Sequence, residues 1–239
     1  MVGLFKLSGF QKIIMLAIYL LSFPIGLFAY GTGDPLLREV VVALSGLELL
    51  LAFAVSESKG EITAILLTMS ANGLSEMVNV GAGNWSYAPG GGFINREQIF
   101  FISFMWGVFM WTAYNLAKIT LKRKRLIFEI SAVLALLVVV ALTQPKFYFD
   151  PSSMIVFLVS LVPFYFFYKI SDKLEQAFLL HAVFIGLYNE VSGILGNVWF
   201  WESVNGTNIL TILGAAVGYS LPMWLLLKIG WFAADAKIH

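Results

Sequence analysis

Eight long apolar stretches, each of about 18 to 25 residues, dominate this 239-residue chain. A helix needs about 20 mostly apolar residues to cross a bilayer. Hydrophobic residues make up 59% of the chain and charged residues 12%, whereas soluble domains have about 25% charged residues. We therefore predict an all-α integral membrane protein with about eight transmembrane helices. The predicted spans are residues 11–30, 36–55, 61–80, 98–118, 126–143, 152–170, 174–195 and 208–232.

The distribution of basic residues predicts how these spans are oriented. Cytoplasmic loops of membrane proteins carry an excess of Lys and Arg. With eight spans and a cytoplasmic N-terminus, 12 of the 15 basic residues lie inside. The other three, Arg38, Arg96 and Lys146, lie outside. Both termini are therefore predicted to be cytoplasmic. Residues 1–10 lack the pattern of a cleavable signal, so the first span is interpreted as an anchor.

The two halves of the chain resemble each other. Glu76 is followed by Gly-Asn-Trp-Ser-Tyr at 83–87, and Glu190 is followed by Gly-Asn-Val-Trp-Phe-Trp at 196–201. Two four-span units have the same orientation, which predicts parallel repeats related by an axis along the membrane normal. Glu76 and Glu190 would then lie at similar depth on either side of a central cavity. The predicted units are a first four-helix repeat at 1–121, a basic cytoplasmic linker at 122–125 and a second four-helix repeat at 126–239.

The candidate ionisable side chains inside the predicted spans are Glu48, Glu76, His181 and Glu190, whereas Glu129 lies about one turn from the cytoplasmic edge of its span. Ionisable groups are costly in a membrane, so each is a candidate functional residue. Glu76 and Glu190 lie about one turn from the outer ends of their spans, where a protonated carboxyl can serve as a general acid. A hydrogen bond that only specifies helix packing is the alternative for each Glu. His181 fits either a proton relay or a satisfied core residue.

The segment Asn-Trp-Ser-Tyr-Ala-Pro-Gly-Gly-Gly at 84–92 connects two predicted spans on the outer side. Its aromatic residues fit an interfacial belt. They equally fit a lid or wall whose aromatic faces stabilise a cationic intermediate, and its Pro and Gly residues indicate a turn or loop. Both interpretations stay open. The candidate substrate-binding residues are Trp85, Tyr87, Asn72, Trp106, His181, Asn189, Trp199 and Trp201.

Several types of chemistry are excluded by the residue inventory. The chain has no Cys and two His, so it has no disulfides, thiolate ligands or poly-His metal site. It contains no HExxH or GxSxG motif and no Asp-rich pair placed to bind magnesium diphosphate. A formal net charge of +1 argues against a nucleic-acid partner.

Residues 72–112 resemble the integral-membrane lycopene cyclase domain. In that family an acidic residue near a span end precedes a Trp-Ser-Tyr-like segment, and a Pro-x-Glu-Glu sequence then runs into Phe-Phe. Here Glu76 precedes Trp-Ser-Tyr-Ala-Pro at 85–89, and Arg-Glu-Gln-Ile-Phe-Phe-Ile follows at 96–102. The proline before the acidic pair is missing, and Gln98 replaces the second carboxylate of that pair.

The second half contains a weaker echo of the same pattern at 189–201. It keeps Glu190 and the aromatic Trp-Phe-Trp sequence, but it has no acidic pair before the eighth span. A span-end Glu followed by such a segment is similar to the membrane carotenoid hydratases. The Asn-x-x-x-Glu sequence at 72–76 also resembles the small membrane terpene cyclases.

These resemblances imply an isoprenoid cyclase or hydratase that uses no metal or organic cofactor. A carboxylic acid protonates an alkene or epoxide, and aromatic faces stabilise the carbocation. Glu76 and Glu190 would then be the acid and base, with Glu97 third and Glu48 in support. The implied partner is an apolar isoprenoid or lipid taken from the membrane, and the oligomeric state stays open.

Two other classes of function fit the same composition. Parallel repeats with intramembrane carboxylates also suit a proton-coupled transporter or lipid flippase, in which Pro163, Pro222 and Gly218 are candidate helix breaks. A non-catalytic membrane component is the third class. Small residues that permit close helix contact in any of the three classes are Gly186, Gly193, Gly214 and Ala215.

Overall fold

A computed structural model describes residues 7–82, 85–87, 96–122, 143–144, 146–201 and 207–235. Seven α-helices fall within these residues. The ends of each helix lie within four residues of the ends of one predicted span. The fifth predicted span, 126–143, lies outside the described residues except for Thr143. The helices are α1 (Gly9–Gly31), α2 (Pro35–Val55), α3 (Lys59–Gly81), α4 (Arg96–Lys122), α5 (Met154–Ile170), α6 (Lys173–Leu195) and α7 (Ile209–Asp235).

Five helical segments in the described residues are long and apolar enough to cross a membrane, as the hydropathy predicted. The other two helices, α2 and α3, have similar lengths, and each carries three charged residues. The number of spans and the side on which each terminus lies stay predictions. The five segments are Gly9–Gly31, Ile99–Leu121, Pro151–Ile170, Lys173–Leu195 and Ile209–Ala234.

Short polar side chains explain where four of the helices begin. The side chains of Ser8, Asp34, Ser58 and Asp172 each accept a hydrogen bond from a backbone N–H in the first turn of α1, α2, α3 and α6, respectively. Such caps satisfy donors that have no partner within the helix. Proline at the first position of α2 supports the same start, because its missing N–H is not needed there.

Three helices continue through an internal proline: α1 through Pro24, α5 through Pro163 and α7 through Pro222. The prediction of helix breaks at Pro163 and Pro222 is therefore wrong. Gly218 likewise lies within the continuous helix α7. Prolines are tolerated inside membrane helices because neighbouring groups can satisfy the freed carbonyls.

Two short strand pairs accompany the helices, which the all-α prediction did not include. Strand β1 (Trp85–Tyr87) pairs antiparallel with β3 (Trp199–Trp201), with Ser86 opposite Phe200. Strand β2 (Phe147–Tyr148) pairs in parallel with β4 (Thr207–Asn208). The aromatic segments at 85–87 and 199–201 are therefore hydrogen-bonded to each other through their backbones.

Two helices, a three-residue aromatic strand and a further long helix follow one another twice in the described residues, and in the second case β4 also lies before the last helix. Helices α3 and α6 each have 23 residues, and α4 and α7 each have 27. Helix α3 packs against α4 and α7, while α6 packs against α7 and α4. Helix α2 packs on α4 as α5 packs on α7. Equivalent helices therefore have equivalent neighbours.

Small residues let the central helices approach closely. A Cβ added at Gly186 of α6 would lie 3.1 Å from the Cα of Ala216 on α7, so these two helices are in close contact there. Gly193 faces the Trp199 ring, whereas Gly214 meets only the Ser160 hydroxyl at 3.8 Å. Among the glycines that the sequence marked for close contact, Gly186 is therefore the one at a tight helix crossing.

Candidate functional site

Glu76 and Glu190 are both buried, at 8% and 3% exposure, on helices α3 and α6. Each is the eighteenth residue of its helix. The indole N–H of Trp199 donates a hydrogen bond to Glu190 Oε2 over 3.1 Å. Tyr219 of α7 is hydrogen-bonded to Glu190 and lies within electrostatic range of both carboxyls. Tyr219 is therefore influenced by both carboxyls, and the cavity predicted between Glu76 and Glu190 stays a prediction.

Trp106 forms an aromatic wall beside this tyrosine. Its ring is fully buried and meets the Tyr219 ring edge-on, with 5.0 Å between the ring centroids and an interplanar angle of 69°. Trp106 and Tyr219 are each the eleventh residue of their helices. Sequence analysis did not select Tyr219 as a site residue. The signal that could have identified it is its place in the second repeat, which is equivalent to that of Trp106 in the first.

Two asparagines close in sequence to Glu76 and Glu190 differ in their hydrogen bonding. Asn72, one turn before Glu76, donates to the backbone carbonyl of Thr68 over 3.1 Å. The side-chain oxygen of Asn189, next to Glu190, is buried and has no hydrogen-bond partner among the described residues. Asn189 therefore presents an acceptor that a bound molecule can use.

His181 lies in the first half of α6 and contacts α4. Its Nε2 and the Thr120 hydroxyl are 2.6 Å apart, and both residues are buried. Its Nδ1 has no hydrogen-bond partner in the described part of the chain. His181 precedes Glu190 by nine residues, or roughly 13 Å along a helix, so no described contact joins them directly.

The other predicted aromatic residues belong to the strand pair. Trp85 is opposite Trp201, and Tyr87 is opposite Trp199, which carries the hydrogen bond to Glu190. Of the side chains on these strands, the structure describes only that of Trp199, which is buried. Glu97 lies in the first turn of α4, and its side chain is outside the described set.

Glu48 is separate from the two paired glutamates. One of its carboxylate oxygens accepts a hydrogen bond from the Ser22 hydroxyl over 2.5 Å, and its backbone carbonyl accepts one from the Tyr19 hydroxyl over 2.8 Å. Glu48 lines a cavity of about 490 Å³ between α1, α2, α4 and α6. The cavity lining does not include Glu76 or Glu190.

An ion-pair cluster at the opposite ends of the helices was missed by sequence analysis. Glu57, between α2 and α3, pairs with Lys12 of α1 and Lys118 of α4. Burial alone would raise the pKa of Glu57, but hydrogen bonds and charge attraction from Lys118 and Lys12 outweigh it and lower the pKa to about 2. Glu175, near the start of α6, pairs with Lys228 of α7, and the equivalent Glu61 of α3 accepts a hydrogen bond from Asn115 of α4 over 3.0 Å.

No protein-family model, curated protein or solved structure matches the chain. The site is therefore defined by its own geometry: two carboxyls, a tyrosine hydroxyl and two indole rings on five elements of the fold. Carboxyls can donate and accept protons, and the faces of aromatic rings attract cations. Such an arrangement suits proton transfer to and from an apolar molecule.

Proposed function

We propose that this chain is a membrane-embedded isoprenoid cyclase or hydratase that works through a carbocation. The observation that carries the proposal is that Tyr219 is hydrogen-bonded to buried Glu190 and lies within electrostatic range of buried Glu76. A protonated carboxyl donates its proton to an alkene or epoxide. The resulting carbocation is then captured by a neighbouring double bond or by water. A carboxylate removes the surplus proton, and transfer of that proton back to the acid restores the starting state of the pair.

The hydrogen bonds around Glu190 support separate roles for the two carboxyls. Glu190 accepts from the Trp199 indole and is hydrogen-bonded to Tyr219. Donors aimed at a carboxylate favour its ionised form, so we assign Glu190 as the base. Glu76 is then the acid. The Trp106 ring beside Tyr219 is placed to stabilise the cation through its face.

The proposal includes the membrane arrangement and the partner. Eight spans form two parallel four-helix repeats at 1–121 and 126–239, with both termini in the cytoplasm. The repeated helix lengths and neighbours support this arrangement. An apolar isoprenoid enters from the membrane. Proton transfer between carboxyl groups and the substrate requires no metal or organic cofactor. Glu97 and Glu48 are assigned supporting roles.

Transport is the less favoured alternative. Transporters of the relevant type bind their substrates at discontinuous helices. Here α5 and α7 are continuous through Pro163 and Pro222, which removes the candidate breaks. The cavity beside Glu48 is lined by exposed residues of α1 and α2, so it opens sideways, as suits an apolar molecule that arrives through lipid.

The test is product analysis in cells that make linear isoprenoids. Lipids are extracted from cells expressing the wild type, Glu76→Gln or Glu190→Gln, and are analysed by chromatography and mass spectrometry. We expect the wild type alone to yield a new product. Cyclisation leaves the mass unchanged and changes the retention time, whereas hydration adds the mass of one water.

Glu39→Gln is the matched control, because Glu39 is an exposed residue in the first turns of α2. It should retain full turnover. Each variant is also purified to confirm that it is folded and monodisperse. Full turnover by folded Glu76→Gln would refute the role of Glu76 as the acid. Proton-coupled uptake into vesicles without any new product would favour transport instead.

A further inference from the structure

The cavity between α1 and α2 combines an apolar body with one polar end. Its volume of about 490 Å³ is in the range of small-molecule sites, which is roughly 300–1,000 Å³. Leu37 and Glu48 both line it and are eleven residues apart on α2, or roughly 16 Å at the helical rise. Phe101 and Phe109 of α4 form part of its inner wall. The cavity therefore fits a long, narrow molecule.

The cavity is open along its side. Ile18 and Ile25 of α1 and Leu44 and Leu47 of α2 line it, and each is more than half exposed. These residues belong to two neighbouring helices that are predicted to cross the membrane. A ligand that reaches this opening therefore arrives from the surrounding lipid.

Most polar groups at the polar end of the cavity already have hydrogen-bond partners within the protein. Tyr19 donates to the carbonyl of Glu48, and Ser45 donates to the carbonyl of Val41 over 2.8 Å. Tyr188 donates to the carbonyl of Leu20 over 2.5 Å. Each of these hydroxyls already donates its hydrogen to a backbone carbonyl, so none of them needs an acceptor from a ligand.

Two polar groups at this end are left for a ligand. The hydroxyl of Thr112 is 2% exposed, lines the cavity and has no hydrogen-bond partner among the described residues. Glu48 accepts from Ser22 with one oxygen, and its other oxygen has no hydrogen bond to any described residue. A buried hydroxyl without a partner costs about 1–3 kcal/mol, so a ligand that satisfies it gains affinity.

We infer that this cavity is a binding site for a lipid alcohol, whose hydroxyl group lies between Glu48 and Thr112. An alcohol oxygen can donate its hydrogen to the Glu48 carboxylate and accept the hydrogen of Thr112, so one group satisfies both. A fatty acid would place a second carboxylate against Glu48. A hydrocarbon would leave Thr112 without a partner. The inference does not depend on the reaction proposed for Glu76 and Glu190.

The test measures equilibrium binding of radiolabelled farnesol to the purified full-length protein in detergent. Farnesene, which has the same isoprenoid chain without a hydroxyl, and farnesoic acid are used as competitors. We expect farnesol to bind about tenfold or more tightly than either, since one good hydrogen bond is worth that ratio. Hexadecanol, a straight-chain fatty alcohol, is a further competitor. Strong competition by hexadecanol would indicate a general lipid-alcohol site, and weak competition would indicate a preference for isoprenoid alcohols; either result supports an alcohol site.

Two substitutions that remove a hydroxyl from the same cavity form a matched pair. Thr112→Val should weaken farnesol binding about tenfold and leave farnesene binding unchanged. Ser45→Ala should change neither, because the Ser45 hydroxyl is already bonded to Val41. Thr112→Val removes an unsatisfied buried hydroxyl, so its stability without ligand should equal or exceed that of the wild type. The weaker binding therefore cannot be attributed to unfolding.

Three results would overturn the inference. The first is equal binding of farnesol and farnesene. The second is a preference for farnesol that persists in Thr112→Val. The third is that only bulk phospholipid occupies the protein, with no displacement by farnesol. Farnesol binding that survives in Glu76→Gln would show that this site is distinct from the proposed reaction site.

Discussion

Substitution of Gly230 by Ala tests the close approach of helices α3 and α7. A Cβ at position 230 would lie 2.7 Å from the backbone nitrogen of Ala64 and 2.9 Å from its Cα. Optimal separations between non-bonded carbon atoms are about 3.5–4.0 Å. The obstacle is helix backbone rather than a flexible side chain, so the two helices must move apart. Overpacking of this kind costs about 1–3 kcal/mol.

Gly218→Ala is the matched control on the same helix, because a Cβ there meets nothing within 4 Å. Replacing glycine by alanine inside a helix otherwise stabilises by about 1 kcal/mol. We therefore expect Gly218→Ala to be neutral or more stable than the wild type. Because both variants receive this gain, they should differ by roughly the overpacking cost of about 1–3 kcal/mol.

The assay is reversible unfolding in mixed detergent micelles, followed by circular dichroism. Gly230→Ala should unfold at a lower denaturant fraction than the wild type, and Gly218→Ala at an equal or higher one. Because α3 carries Glu76 and α7 carries Tyr219, Gly230→Ala should also reduce turnover. Equal stability of the two alanine variants would refute the close helix contact.

Two further substitutions test the hydrogen bonds and ion pairs of the described residues. Trp199→Phe keeps an aromatic ring but removes the donor to Glu190, so we expect lower turnover and a loss of about 1–2 kcal/mol in unfolding free energy. Unchanged turnover would show that this hydrogen bond does not position Glu190. Glu57→Gln removes the ion pairs with Lys12 and Lys118 and should lower stability at neutral pH. Because the pKa of Glu57 is lowered from 4.5 to about 2, its contribution is present above pH 4.5 and is lost as the pH falls towards 2. Unfolding measured across that range should therefore depend less on pH in Glu57→Gln than in the wild type, and an identical dependence would contradict the ion-pair assignment.

Hydropathy was enough to place the described helices. Four of them begin next to Ser8, Asp34, Ser58 and Asp172, whose caps fix starts close to the predicted ones. The spacing of the repeated motif also located the paired carboxyls, because Glu76 and its counterpart occupy equivalent positions on helices of equal length.

The lateral contacts of each helix could not be predicted in the same way. Most residues of α6 are buried, so its sequence has no polar face to show which side meets which neighbour. The bridge from Lys12 through Glu57 to Lys118 joins residues 45 and 61 positions apart. Such contacts depend on how each helix is rotated, which an apolar sequence leaves open.

The strands were missed for a different reason. Trp-Ser-Tyr at 85–87 and Trp-Phe-Trp at 199–201 have the composition of an interfacial belt as well as that of strands. Each segment has only three residues, which is too short for a clear alternation of polar and apolar side chains. Their pairing joins two segments that are far apart in the chain, which only the folded chain brings together.

The pairing of β1 with β3 bears on how a protein of this kind can originate. Two antiparallel strands of three residues, joined with Ser86 opposite Phe200, are related by a two-fold rotation through that central pair. A backbone ladder of this form is self-complementary, so two copies of one strand can make it as readily as two different strands. An ancestral half-length chain that formed a homodimer would already contain this contact, and gene fusion would have preserved it. The two halves expressed as separate polypeptides should therefore associate in the membrane through the same ladder.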